Sequence, residues 1–222
     1  MKQYSTSQEE DAVGLRFAFR PGAHSESPVV LFIHGRAGNR DVMWAFQRTI
    51  PADFAIVAFE AFTTDPIGGY SWWDMSQKGT LHEAIPHAAK RLSSAWNAFR
   101  DLKGLSPSKI IAVGFSQGAI LISASAFMGD CAFDGIGLLA GFPYVDEERF
   151  NPIKIPSVFM ANGTDDTIIP IESAREGRSR LESRGIFPEF VEEQVGHKLG
   201  VQGMKALKQW IVDFGGIDQE PQ

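Results

Sequence analysis

Lys109-Ile110-Ile111-Ala112-Val113-Gly114-Phe115-Ser116-Gln117-Gly118 starts as a short apolar strand and ends where a helix begins. The residues that follow, through position 128, are almost wholly apolar, as in a helix buried on all sides. A Gly-x-Ser-x-Gly turn between strand and helix holds its serine in a strained conformation, with the hydroxyl projecting above the sheet. The glycines are required because side chains would collide across so tight a bend. The helix N-terminus adds backbone N–H groups and positive dipole, which suit an oxyanion. Ser116 is thus a candidate nucleophile. An ordinary strand-to-helix turn is the plainer alternative, and the rest of the chain decides between them.

Outward from this stretch, other runs rich in Val, Ile and Phe stand apart at residues 29–33, 54–59, 136–140 and 157–161. They are apolar without alternation, as strands covered on both faces are. Phe190-Val191 lies in a weaker strand candidate, and residues 14–19 alternate like an antiparallel edge strand. The longest helical pattern runs over 81–102, with Leu81, Ile85, Ala88, Leu92, Ala95, Trp96 and Phe99 on one stripe. Pro86 sits near its start, where a missing N–H is tolerated. Helices are also expected over 171–183 and 200–214. Strands alternating with helices imply an α/β domain with a mostly parallel central sheet and helices on both faces. One domain over 1–222 is expected, with flexible tails at 1–10 and 215–222.

Composition narrows the partners. The 222 residues suffice to bury roughly 70% of the surface the unfolded chain would expose. A net charge of −6 with no basic stripe argues against nucleic acid and against stable membrane association. One cysteine, Cys131, allows no intrachain disulfide, and residues 1–10 lack the apolar core of a signal peptide. The expectation is a cytoplasmic protein, with a homodimer left open.

A serine needs a base to take its proton, and the base needs a carboxylate to fix its tautomer. In the α/β-hydrolase fold these follow in the order Ser, acid, His. His197, in Val195-Gly196-His197-Lys198, is the one histidine after Ser116; His24, His34, His82 and His87 all precede it. The acid should follow the strand at 157–161. The segment there, Asn162-Gly163-Thr164-Asp165-Asp166-Thr167-Ile168-Ile169-Pro170, has two adjacent aspartates between which spacing cannot choose. The strand at 29–33 ends in His34-Gly35-Arg36-Ala37-Gly38-Asn39, placed where this fold supplies a second oxyanion N–H.

These motifs, in this order and over most of the chain, resemble the phospholipase/carboxylesterase family, which includes small bacterial esterases and acyl-protein thioesterases. The family's acid segment reads His-Gly-x-x-Asp-x-x-Val-Pro. Aligning Gly163 and Pro170 with it implies Asp166 as the acid, with Asn162 and Ile169 departing from the pattern. The resemblance further implies that Arg36 and Gln117 donate backbone N–H groups to the oxyanion. It implies no metal and no organic cofactor.

Tyr70, Trp72 and Trp73 follow the strand at 54–59, on the side where ligands bind in such sheets, and are candidate walls of a substrate pocket. No insertion is long enough for a separate lid domain. The expected activity is hydrolysis of small or short-chain carboxylic esters, a small-molecule substrate. An acyl thioesterase or lysophospholipase-type hydrolase is the rival reading, and a hydrolase-fold binding protein without turnover is a more distant one.

Overall fold

The computed structural model describes residues 1–75 and 81–215. In chain order the elements are β1 (Gln3–Tyr4), α1 (Ser7–Val13), β2 (Phe17–Arg20), β3 (Val29–Ile33), a 3₁₀ segment (Val42–Thr49), β4 (Ala55–Phe59), β5 (Thr63–Thr64), β6 (Tyr70–Ser71), α2 (Leu81–Lys103), β7 (Ile110–Phe115), α3 (Gln117–Phe127), β8 (Gly135–Leu139), β9 (Ser157–Gly163), α4 (Ile171–Glu182), β10 (Glu189–Glu193) and α5 (Val201–Gly215). The apolar runs read from the sequence become the inner strands. Every residue of β3, β4 and β8 is buried, whereas β10 at the sheet edge is only partly covered.

The main sheet has the order β1-β2-β4-β3-β7-β8-β9-β10. β1 and β2 join antiparallel, and all pairings from β4 onward are parallel. This is the α/β-hydrolase architecture. Alternation along β3 divides the core: Val29, Leu31 and Ile33 face α2 and α3, while Val30 and Phe32 face the 3₁₀ segment and α5. Registers align the strand ends, with Ile33 opposite Gly114, Phe115 opposite Leu139, and Gly163 opposite Glu193. All the loops that carry chemistry therefore leave one edge of the sheet.

Three sequence expectations are revised. Residues 1–10, expected as a flexible tail, hold β1 and part of α1. Gln3 and Tyr4 pair with Phe19 and Ala18, and Thr6 and Glu9 form a reciprocal capping box at the start of α1. The Thr6-x-x-Glu9 pattern was the overlooked signal. With β1 outside it, β2 is not the edge strand. Pro86 lies inside α2 rather than in its first turn. The N–H it lacks would have reached the His82 carbonyl, and Arg149 Nη1 donates there instead at 2.8 Å. The tail expected at 215–222 lies, beyond Gly215, outside the described residues.

Cys131, just past α3, is buried, and burial pushes its thiol up to about 12. Among the described residues no helix is long and apolar enough to cross a membrane.

Phe99 of α2 is fully buried and meets Phe17, Phe19 and Phe59 edge-on, with ring centroids 5.0, 5.2 and 5.7 Å away. It ties α2 to β2 and β4. Phe99→Ala is expected to lower unfolding stability by about 3–5 kcal/mol in urea denaturation; a loss below about 1 kcal/mol would remove this cluster as an anchor of the helix layer.

Candidate active site

Ser116 joins β7 to α3 with φ 52° and ψ −114°, in the left-handed region that an L-residue occupies under constraint. The constraint is the seating of α3. A Cβ on Gly118 would lie 2.2 Å from the Ile33 oxygen and 2.7 Å from the His34 oxygen, so the first helical turn touches the end of β3. Ser116 N–H is held by the Leu139 carbonyl at 2.8 Å. The turn raises the half-buried serine into a cleft of about 810 Å³ that Arg36, Phe115 and His197 also line.

A second close approach assembles the acid and base. A Cβ on Gly163 would stand 2.1 Å from the Val195 oxygen, so the end of β9 lies directly against the loop bearing His197. His197 Nδ1 and Asp166 Oδ2 are 2.7 Å apart. A carboxylate oxygen can only accept, so Nδ1 carries the proton and Nε2 is left as the basic nitrogen. The Asp166 side chain is fully buried, and its Oδ1 accepts from Ile168 N at 2.8 Å and Ile169 N at 3.0 Å. The Phe115 ring meets the His197 ring edge-on at 5.0 Å. Asp165 is exposed, and its side chain meets Thr164 Oγ1 at 3.4 Å. Of the two aspartates, Asp166 is the one brought to the histidine. Asn162 is buried and donates from Nδ2 to the Gly141 carbonyl at 2.9 Å.

The loop after β3 is braced from behind. Arg36 Nε and Nη2 donate to Asp65 Oδ2 and Oδ1 at 2.8 and 3.3 Å. Asp65 also accepts from Ser71 Oγ at 2.7 Å and from Ile67 N at 3.1 Å. The Arg36 guanidinium, with Ser71, holds the Asp65 carboxyl well below the usual carboxylate range. Ser71 Oγ in turn accepts from Ala37 N at 3.2 Å, and Tyr70 N donates to the Gly38 carbonyl at 2.8 Å. Arg36 therefore lines the cleft while its side chain is anchored. Gln117 is the first residue of α3, where a backbone N–H has no carbonyl one turn earlier in its own helix.

Tyr70, Trp72 and Trp73 are absent from the cleft lining, which corrects the pocket-wall expectation. Trp72 is fully buried: its indole N–H donates to the His34 carbonyl at 2.8 Å and its backbone N–H to Gln117 Oε1 at 2.9 Å. The Trp73 carbonyl accepts from Gln117 Nε2 at 3.3 Å. Tyr70 OH accepts from Arg16 Nη1 at 3.0 Å. For Trp72 the physical reason is that its buried indole N–H finds the strand-end carbonyl of His34 within reach. The cleft wall instead comes from Val42, Met43, Phe46, Ile67, Ile168, Leu199 and Met204. Sequence reasoning missed Asp65, Ser71 and the Gln117 side chain. Only the turn chemistry of Asp65-Pro66-Ile67-Gly68-Gly69 signalled that Asp65 sits in a structured loop.

His34 is structural. Its Nε2 accepts from Ala61 N at 3.0 Å and its Nδ1 meets the Gly35 carbonyl at 2.6 Å, so the ring is neutral with the proton on Nδ1. Burial lowers its pKa to about 4. Between the ordinary histidine value and that one, the unfolded chain binds a proton the folded chain does not, so stability falls as pH drops through this window. His34→Gln is expected to flatten that fall by about 2 kcal/mol between about pH 7.5 and about pH 4.5, read from urea midpoints. Equal slopes for variant and parent would contradict the neutral, buried ring.

Residues 17–213 match the family model described as Phospholipase/Carboxylesterase. The chain is 26% identical over 212 residues to lysophospholipase-like protein 1 of Mus musculus, covering 86% of this chain and 87% of that protein. A shorter stretch of 84 residues is 36% identical to acyl-protein thioesterase 1 of Kluyveromyces lactis, spanning 36% of this chain and 37% of that protein. In fold, the chain superposes on the Bacillus cereus carboxylesterase with a TM-score of 0.82 at 19% identity, over 94% of this chain and 98% of that one. The chain belongs to the phospholipase/carboxylesterase family, whose members are hydrolases acting on ester bonds.

Proposed function

We propose that this chain is a cytoplasmic serine carboxylesterase that hydrolyses small or short-chain carboxylic esters through Ser116, His197 and Asp166. The observation that carries the reading is the 2.7 Å contact between His197 Nδ1 and the buried Asp166, on a histidine that shares its cleft with Ser116. His197 Nε2 accepts the Ser116 proton as the hydroxyl oxygen bonds to the ester carbonyl carbon. Asp166 stabilises the imidazolium so formed. The tetrahedral oxyanion is received by the backbone N–H groups of Arg36 and Gln117, each donor of this kind contributing about 3–4 kcal/mol in a comparable hydrolase. His197 then returns its proton to the departing alcohol. Water, activated by the same imidazole, hydrolyses the acyl-serine and restores Ser116.

A thioester substrate is the second reading, favoured by the likeness to an acyl-protein thioesterase and by the apolar wall of Met43, Phe46, Leu199 and Met204. Matched oxygen esters and thioesters of equal acyl length separate the two.

A fluorophosphonate probe is expected to modify Ser116 in folded protein, and Ser116→Ala to remain folded while losing roughly 10⁴-fold or more of kcat. Retained turnover in that variant would sink the assignment. Asp166→Asn is expected to lower kcat by roughly 10⁴-fold, whereas Asp165→Asn stays within about threefold of the parent. The reverse pattern would move the acid to Asp165.

A further inference from the structure

Beside the catalytic cleft lies a second cavity of about 570 Å³. The two are contiguous, because Lys198, Leu199 and Met204 line both. The lining of the second is divided by chemistry. Val195, Leu199, Val201 and Met204 supply apolar surface, and Arg48, Lys198, Lys205 and Lys208 supply cations. Lys198 directly follows His197 in the chain, and Arg48 comes from the 3₁₀ segment opposite α5. On α5, residues 201, 204, 205 and 208 recur at three- and four-residue steps and so form one stripe. The two lysines of that stripe flank the same cavity that Met204 opens toward the cleft.

All four cations are exposed, and none has an ion pair with a described residue. In a chain of net charge −6 this is a local reversal of sign. Several cations elsewhere are ion-paired, as Arg175 with Glu192, Arg178 with Glu182 and Lys154 with Asp134. One acid does border the cavity, Glu193. Its oxygens accept from Gln202 N at 3.3 Å and Gly203 N at 3.2 Å at the start of α5, and its single negative charge leaves the four cations in excess. Four like charges held around one concavity repel one another, and an anion entering it removes that repulsion.

We propose that the enzyme selects esters bearing an anionic group, carboxylate or phosphate, which Arg48, Lys198, Lys205 and Lys208 hold beside the reacting carbonyl. The inference rests on the esterase reading above and names its substrate class. The apolar surface of Leu199 and Met204 carries the intervening methylenes, and the cations receive the charged end.

The test compares p-nitrophenyl hexanoate with mono-p-nitrophenyl adipate, which carries a free terminal carboxylate, and with the ω-phosphonate of the same length. Succinate and suberate homologues vary the reach. At low salt, kcat/KM for the best anionic ester is expected to exceed that of its neutral counterpart by about tenfold. The ratio should shrink in about 1 M salt, where the screening length falls to about 3 Å. The double variant Lys205→Ala/Lys208→Ala should bring the low-salt ratio toward one, and Lys205→Arg/Lys208→Arg should keep it. A larger ratio for the phosphonate than for the carboxylate assigns the site to phosphate, and the converse to carboxylate. A ratio of one or less for every anionic ester, or a ratio unmoved by salt and by the alanine pair, overturns the proposal while leaving the esterase standing. Turnover of no ester at all, neutral or anionic, overturns the esterase reading, and this inference falls with it.

Discussion

Where α3 enters the fold, its first turn rests on the last carbonyls of β3, so near that any side chain at Gly118 would overlap the Ile33 oxygen. β3 and β7 are neighbours in a parallel sheet, so the loop after one and the turn after the other leave from adjacent points on the same edge. Seating α3 so tightly leaves one residue to reverse the chain between strand and helix, and that residue is Ser116 with its positive φ. The same contact sets the start of α3, with the N–H of Gln117, beside the loop that holds Arg36. A looser helix would relieve the serine and separate the two loops. Position and strain therefore have one origin.

Behind the cleft, polar contacts are added to the packing of a core in which Trp72 lies against Phe62. Two hydrogen-bonded sets, one of Gln117, Trp72 and His34 and one of Arg36, Asp65, Ser71 and Ala37, lie side by side and are joined through the backbone from the end of β3 to the start of α3. In a low-dielectric setting such a network is stiff when complete and costly when broken, because each lost partner strands a buried group. Asp65 illustrates this. Its carboxylate is buried and accepts from three residues, two of them in the 65–71 turn and one in the loop after β3. The cleft wall opposite is built of Met, Phe, Ile and Leu, which adapt to a ligand. Rigid polar backing and an adaptable apolar front divide positioning from accommodation.

The strands were legible because a parallel strand sealed on both faces has no choice but to be apolar throughout, and β3, β4 and β8 are. Ser116 and His197 were legible from chain order, which the fold imposes. Asp166 was not separable from Asp165 by spacing, since both lie in the turn after β9; the family pattern pointed to Asp166, and the structure brings that residue to the histidine. Tyr70, Trp72 and Trp73 misled because an aromatic residue suits a pocket wall and a core equally, and only the three-dimensional path shows where an indole N–H finds its acceptor. The polar composition of residues 1–10 hid a strand and a capped helix, since a two-residue strand has no periodicity to read. The cations around the second cavity come from sequence-distant elements, Arg48 and residues 198–208, and no linear pattern joins them.

The lone cysteine, sealed beyond α3, gives the molecule a chemical silence of practical use. Burial pushes its thiol up to about 12, which disfavours the reactive thiolate at neutral pH, and the group is closed to solvent besides. Thiol-directed and serine-directed reagents thus address this protein independently. A single cysteine placed on the rim of the cleft becomes the one site a maleimide dye can find, so ligand entry can be followed by fluorescence without removing the native residue.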